Sequence, residues 1–367
     1  MPNARSIIPD PLPYCDAVHA PGLLTDYGWD ADWALRANAA ITGEPALASG
    51  DPADGDEVCV GSVGFRGHTV GRVTRQDRGW VSVITDDGPV RVLSNEAVAG
   101  DWVFCDADQV THLLARKSAL VRHSERRVDD NQVLAANMDY VSIVVGLDKA
   151  VNARRLERFL VMAWESDAEP LVVLNKADVV DDIDQVVDQV LKLSPDVDVI
   201  PVSAERGSGL EGLRQRLDGS HKTMALVGES GVGKSTICNS LLGSEIQSTQ
   251  SVRIGDSKGR HTTTTRELLL LPFGGVLLDT PGVRSVGLWG ASVGVERAFS
   301  DLFGLSEDCK FRDCSHDGAP ECAVAAAVAA GDIAAERVDA WGRIVSEMDA
   351  AAQRFGAWDQ RPQRRPR

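Results

Sequence analysis

The chain has 367 residues, 43% hydrophobic and 25% charged, a balance that suits a folded globular protein of two or three domains. No apolar run reaches the roughly 18 residues of a membrane helix, and the N-terminal "MPNARSIIPDPLPYC" lacks the apolar centre of a secretion signal, so a cytoplasmic protein is expected. A formal net charge of -16 repels nucleic acid on average, so any RNA contact needs local basic patches.

Residues 1–55, rich in Pro, Asp and Ala, read as an N-terminal extension. Within it, "GWDADWALRA" predicts a short helix with Trp29 and Trp33 on one face, packed on the next domain. Residues 56–128 change character. "GRVTRQDRGWVSVITDDGPVRVLS" contains short β-rich runs broken by the turn signals "DRG" and "DDG", and "DWVFCDADQVTHLLARKSALVR" continues the pattern. Several short strands in one such segment suggest a small barrel, with the oligonucleotide-binding type as one candidate. Over residues 60–128, Lys and Arg number 10 against 8 acidic residues, so this segment is mildly basic. A solvated barrel surface explains that charge as well as an RNA-binding one does.

From Asp139 the period changes. "DYVSIVVGL" is a continuous apolar strand, as expected where both faces of a sheet are covered. "ARRLERFLVMAWES" follows as a helix, with Leu156, Phe159, Leu160 and Ala163 on one stripe. Strand "PLVVLNKAD", helix "DIDQVVDQVLKL", strand "VDVIPVSA", helix "GLEGLRQRL" and strand "TMALVG" come next. This alternation predicts a parallel, doubly wound α/β domain over 129–300. "RELLLLPFGGVLLDTPG" reads as a hairpin turning at Pro272 to Gly275. Residues 301–367 hold a cysteine cluster, then helices that break at Gly331-Asp332, then the basic tail "RPQRRPR".

Six motifs carry chemistry. "GESGVGKS", from Gly228 through Glu229, Ser230, Gly231, Val232 and Gly233 to Lys234 and Ser235, satisfies G-x-x-x-x-G-K-[ST] between a strand and a helix, with Thr236 next. Its backbone N–H groups and helix N-terminus suit phosphate oxygens. Lys234 suits the β- and γ-phosphates, and Ser235 suits Mg²⁺. "NKAD" places Asn175, Lys176, Ala177 and Asp178 at a strand end, where the Asp178 carboxylate can accept two N–H bonds from a guanine edge that adenine cannot supply. "VSA" adds Ser203 and Ala204 at the next strand end, offering a backbone N–H to the guanine O6. "DTPG" supplies Asp279 for the Mg²⁺ shell through water and Gly282 as a γ-phosphate sensor. Val283 follows, where Ras-like enzymes place a water-orienting glutamine. His261, in the polar "GRHTTTTRE", is the candidate substitute because an imidazole can relay a proton near neutral pH; an exposed loop residue is the alternative. One of Thr262 to Thr265 can complete the Mg²⁺ shell. Finally, Cys309, Cys314, His316 and Cys322 follow the pattern C-x4-C-x-H-x5-C, a closed four-ligand set suited to one structural Zn²⁺ per chain. Cys15, Cys59, Cys105 and Cys238 are isolated and read as packed side chains.

The ordered set "AVAGDWV", "NMDYVSIVVGL", "VVLNKAD", "GESGVGKST", "GRHTTT", "DTPGVR" and the cysteine cluster resembles the circularly permuted, ribosome small-subunit-dependent GTPases of bacteria, the ribosome-biogenesis GTPase A family, over residues 55–350. The resemblance implies an oligonucleotide-binding barrel, a permuted GTPase domain and a zinc-binding helical domain. It implies GTP hydrolysis stimulated by the 30S subunit during its maturation, with 16S rRNA as partner, and a catalytic part for His261. A cytoplasmic monomer with GTP or GDP as ligand and no membrane contact is expected. A nucleotide-gated RNA-binding adaptor, in which hydrolysis is incidental, is the alternative. In the permuted order "DTPG" is the last nucleotide motif, and Cys309 follows Gly282 after 26 residues, so the switch leads almost directly into the cysteine cluster.

Overall fold

The structure, a computed structural model, describes residues 22–42, 69–122, 132–243, 266–279, 290–312 and 314–355. The described residues start with α1 (Leu23–Asp26) and α2 (Ala31–Thr42). Trp29 precedes α2 instead of lying on it, because the Asp30 side chain accepts the Trp33 N–H at 2.9 Å and caps the helix after the tryptophan. Both indoles nevertheless reach one target. Their ring centroids lie 4.9 Å (Trp29) and 5.8 Å (Trp33) from that of Trp102.

Trp102 belongs to a ring of five strands: β1 (Thr69–Asp77), β2 (Trp80–Thr85), β3 (Gly88–Leu93), β4 (Trp102–Cys105) and β5 (Val110–Leu113). β1 pairs with β2 and β4, β2 with β3, and β4 with β5; a bridge from Leu93 to Gln109 closes the circuit. Bulges at Val73/Arg75 in β1 and Phe104/Cys105 in β4 bend the strands as closure requires. Val73, Val81, Val83, Val92, Val103 and Cys105 fill the interior. Val70, Ile84, Trp102 and Phe104 face outward and are covered by Leu24, Trp29, Trp33 and Ala37. β6 (Ala119–Arg122) stands outside the ring and pairs with β7 (Gln132–Ala136), so this hairpin crosses the 128/129 boundary expected from sequence.

The expected alternation then appears as β8 (Tyr140–Gly146), α3 (Ala153–Glu165), β9 (Glu169–Asn175), α4 (Ile183–Leu193), β10 (Asp198–Val202), α5 (Glu211–Leu217), β11 (Thr223–Val227), α6 (Lys234–Leu242), β12 (Glu267–Leu270) and β13 (Val276–Asp279). The order across the sheet is β10-β9-β8-β11-β13-β12, with β12 antiparallel in the predicted hairpin. β9 shows why its sequence is apolar without alternation. Val172 and Leu174 join the core under α3 and α4, while Leu171 and Val173 join the core under α5 and α6. Beyond β12 the sheet continues into β1 through the pair Arg75–Glu267, so the five-stranded ring hangs from the sheet edge.

Helices α7 (Ser292–Ala298), α8 (Ser300–Glu307), α9 (Ala323–Ala330) and α10 (Ala335–Phe355) complete the described residues. They dock on α3. A side chain at Gly294 would sit 2.2 Å from the Val161 carbonyl oxygen, so only glycine permits this approach. Arg158 pairs with Glu347 at 3.1 Å and Arg343 with Glu157 at 3.4 Å, both between α3 and α10.

The N-terminal helices, the ring and the sheet meet at Arg72. Its buried guanidinium donates to the carbonyl oxygens of Tyr27, of Gly100 (3.3 Å) and of Asn137 (2.9 Å), and lies 5.3 Å from the Trp102 ring centroid. Burial lowers its pKa to about 10, so it stays charged near neutral pH. Arg72→Met is expected to lower the unfolding free energy by about 3 kcal/mol, since several buried acceptors lose their donor; urea denaturation followed by tryptophan fluorescence measures it.

Candidate nucleotide and metal sites

The motif-bearing loops all leave the carboxyl ends of parallel strands, where open α/β sheets place their ligands. β11 runs into Gly228, and the loop through Ser230 and Gly231 leads to α6, which starts at Lys234. Ser235 and Thr236 are exposed on the first turn of that helix. The Lys234 ammonium donates to the carbonyl oxygens of Gly228 (2.8 Å) and Glu229 (2.7 Å). Asp279, at the end of β13, is shifted upward by burial, opposed by the charge of Lys234.

Asn175, 2% exposed at the end of β9, ties these loops together. Its Nδ2 donates to the Val232 carbonyl at 2.8 Å, and its Oδ1 accepts the Ala204 N–H at 3.1 Å. A side chain on Gly233 would come within 2.1 Å of that Nδ2, and φ there is +99°, so the loop closes over Asn175 only with glycine. Ser240 of α6 adds a bond to the Ala204 carbonyl at 2.7 Å. Lys176 adopts left-handed backbone (φ 64°) and reaches Gly231 O at 3.0 Å and Asp148 at 2.9 Å. Ala177 opens a short 3-10 turn that carries Asp178. A hydrogen bond from Ser203, reinforced by the charge of Arg206, holds the Asp178 carboxyl below the usual carboxylate range.

Three neighbours carried no motif signal. Arg155, at the start of α3, is ion-paired to Glu229 of the phosphate loop; Asp148 holds Lys176; Arg206 faces Asp178 at 3.2 Å. Asp148, Arg155 and Glu229 help line a cavity of about 430 Å³ beside the loop. Only their tertiary placement marks them. His261, Thr262 to Thr265, Gly282 and Val283 lie outside the described residues.

The cysteine cluster converges. The ligand atoms of Cys309, Cys314, His316 and Cys322 all lie within 4.8 Å of one another. His316 Nδ1 is 3.6 Å from the sulfurs of both Cys309 and Cys322, which are 3.9 Å apart. Tetrahedral Zn²⁺, with Zn–S near 2.3 Å and Zn–N near 2.0–2.1 Å, requires edges of about 3.8 Å (S–S) and about 3.5 Å (S–N). The donor set therefore fits such an ion in size and type. Burial lowers the pKa of His316, favouring the neutral imidazole that ligates metal. Cys105 and Cys238 are buried away from this cluster, while Cys15 and Cys59 lie outside the described residues.

Residues 113–289 match the family model of the RsgA GTPase. The chain is 41% identical to the small ribosomal subunit biogenesis GTPase RsgA of Streptomyces avermitilis, over 88% of this chain and 85% of that protein. The chain belongs to the RsgA GTPase family. A relative of the same name from Methanosarcina acetivorans is 40% identical over 71% of this chain and 72% of its own. The crystal structure of YjeQ from Thermotoga maritima superimposes with a TM-score of 0.55 at 26% identity, covering 77% of this chain and 98% of that one. YloQ, a circularly permuted GTPase, matches the fold at a TM-score of 0.55 and 22% identity, covering 81% and 98%. RsgA family membership and these neighbours make the sheet a circularly permuted GTPase fold, with the "NKAD" and "VSA" strands β9 and β10 preceding the "GESGVGKS" strand β11 in the chain.

Asn175→Ala is expected to cost about 1–3 kcal/mol by unpairing the buried Val232 carbonyl and Ala204 N–H. Hydrogen exchange at the Ala204 amide should accelerate accordingly.

Proposed function

We propose that this protein hydrolyses GTP in the maturation of the small ribosomal subunit. The observation that carries the reading is the junction at Asn175, which draws three motif-bearing loops onto one crevice in a member of the RsgA GTPase family. In this reading the backbone of Gly228 to Gly233, with Ser230 and Gly231 at the tip, cradles the phosphates, and Lys234 moves from the loop carbonyls to the β- and γ-phosphates. Ser235 would hold Mg²⁺ directly and Asp279 through water, and the ion would offset phosphate charge. Thr236 completes the phosphate contacts. Asp178 reads the guanine edge, Lys176 covers the base, and Ser203 and Ala204 serve the O6 side. Gly282 senses the γ-phosphate. His261 orients or deprotonates the attacking water in place of the glutamine that Val283 replaces.

The three thiolates and the imidazole hold one structural Zn²⁺. The five-stranded ring is of the oligonucleotide-binding type, a reading supported by its closure of β3 onto β5. It contacts 16S rRNA together with the C-terminal helices, and the protein works as a cytoplasmic monomer. Exposed Trp80 on the ring, with Arg91 over its face at 5.5 Å, and exposed Phe311 between zinc ligands, with Lys310 at 5.7 Å, suit contact with unstacked bases.

GTP turnover measured with purified 30S subunits, with 50S subunits and with neither tests the reading. Acceleration by 30S alone is expected; equal rates in all three would overturn it. His261→Ala should remove most of the stimulated rate, a loss of ~10²–10⁴-fold for a general base or water-orienting group, while 30S binding persists.

Metal analysis should return about one Zn²⁺ per chain, since one four-ligand set is present. Cys314→Ala should lose the ion and loosen the C-terminal helices while leaving nucleotide binding in place. Protein purified without chelators and free of zinc would refute the assignment.

A further inference from the structure

We infer that Arg206 is a positioning residue for guanine selection: it orients the Asp178 carboxylate so that both oxygens meet the base edge. The inference rests on the reading of Asp178 as base reader. Arg206 Nε lies 3.2 Å from Asp178 Oδ2. The Arg206 main-chain N–H donates to Ser203 Oγ at 3.4 Å, and the Ser203 hydroxyl in turn bonds the Asp178 carboxylate. The guanidinium therefore contacts the carboxylate directly, while the Arg206 backbone, which Arg206→Ala leaves in place, supports Ser203. Its backbone is held by a closed loop, because Ser203 and Ser208 exchange backbone hydrogen bonds at 2.9 and 3.1 Å.

The physical consequence concerns geometry. Asp178 sits on a 3-10 turn with its side chain 17% exposed, and it must present a fixed plane to accept two parallel N–H bonds. A carboxylate has about four acceptor positions, so a lateral contact on Oδ2 leaves room for a base donor on each oxygen. The bond from Ser203, with a smaller contribution from the Arg206 charge, holds the Asp178 carboxyl below the usual carboxylate range, and the ionised form is the one a charge-assisted contact uses. Arg206 itself is 68% exposed, so its effect is that of a solvent-screened pair. Guanine offers Asp178 two donors, the ring N–H and the exocyclic amine. Hypoxanthine offers only the first. Losing the orientation should therefore harm guanine binding more than hypoxanthine binding.

Displacement of a fluorescent GDP analogue by GTP and by ITP provides the test on the full chain. Arg206→Ala is expected to raise the Kd of GTP about threefold, the scale of an exposed pair, leave the Kd of ITP nearly unchanged, and keep kcat at saturating GTP. Arg206→Lys should restore part of the preference. In an Asp178→Asn background, Arg206→Ala should change nothing further. Equal weakening of GTP and ITP would reduce Arg206 to general loop support, and tighter GTP binding would show that it competes with the base; either overturns the inference. Asp178→Asn alone should weaken GTP and favour XTP. If it does neither, the base-reader assignment falls and the role of Arg206 falls with it. If it does both while Arg206→Ala leaves the GTP/ITP ratio untouched, only the inference fails.

Discussion

One side-chain amide holds three motif-bearing loops in shape. Asn175 sits at the end of β9 with almost no exposure, donating to the phosphate loop at Val232 and accepting from Ala204 after β10. A buried amide that finds only one of these partners leaves the other group desolvated and unpaired, so the loops are held as a set. Gly233 completes the constraint, because any side chain there would collide with the same amide. The three loops come from strands far apart in sequence, and the β10-β9-β8-β11-β13 order of the sheet brings them together.

The permutation leaves that arrangement unchanged and alters what is attached to it. The five-stranded ring joins the sheet twice: through the chain leading into β6 and β7, and through the edge pairing of β1 with β12. Arg72 adds the N-terminal helices to the same junction by collecting carbonyls from Tyr27, Gly100 and Asn137. On the far side α7 and α10 rest on α3, whose first turn is ion-paired to the "GESGVGKS" loop through Arg155 and Glu229. α3 thus touches the proposed phosphate site at one end and carries α7 and α10 on its surface.

Two clusters of buried charge show how this assembly tolerates its polar interior. Asp101 is fully buried and takes a bidentate contact from Arg116 at 2.7 and 2.8 Å, with the Val98 N–H as a further donor. Arg337, 4% exposed, spans Asp301 and the carbonyls of Leu193 and Ala298, fastening α10 to α8 and to the end of α4. Each charge has nearly all of its hydrogen-bonding capacity met, the condition under which burial of an ion is tolerated.

Much of this was legible in the sequence. The unbroken apolar run of β9 announced a strand covered on both faces, and Leu171 to Leu174 indeed divide between two cores. The "GESGVGKS" loop, "NKAD" and the Cys/His cluster that the fold brings together were readable because they are fixed residue types at short, fixed spacing. The cap at Asp30 shifted Trp29 off its helix, a local effect that periodicity alone does not register. What the sequence by itself determined, then, was the set of local elements and short motifs, since propensity, period and loop chemistry act over a few residues. Only the tertiary structure decided that Asn175 joins two loops, that Arg72 closes three segments, and that Arg155 and Arg206 reach Glu229 and Asp178. Those contacts link side chains whose separation along the chain says nothing about their distance, because strand order and helix packing alone fix where they meet.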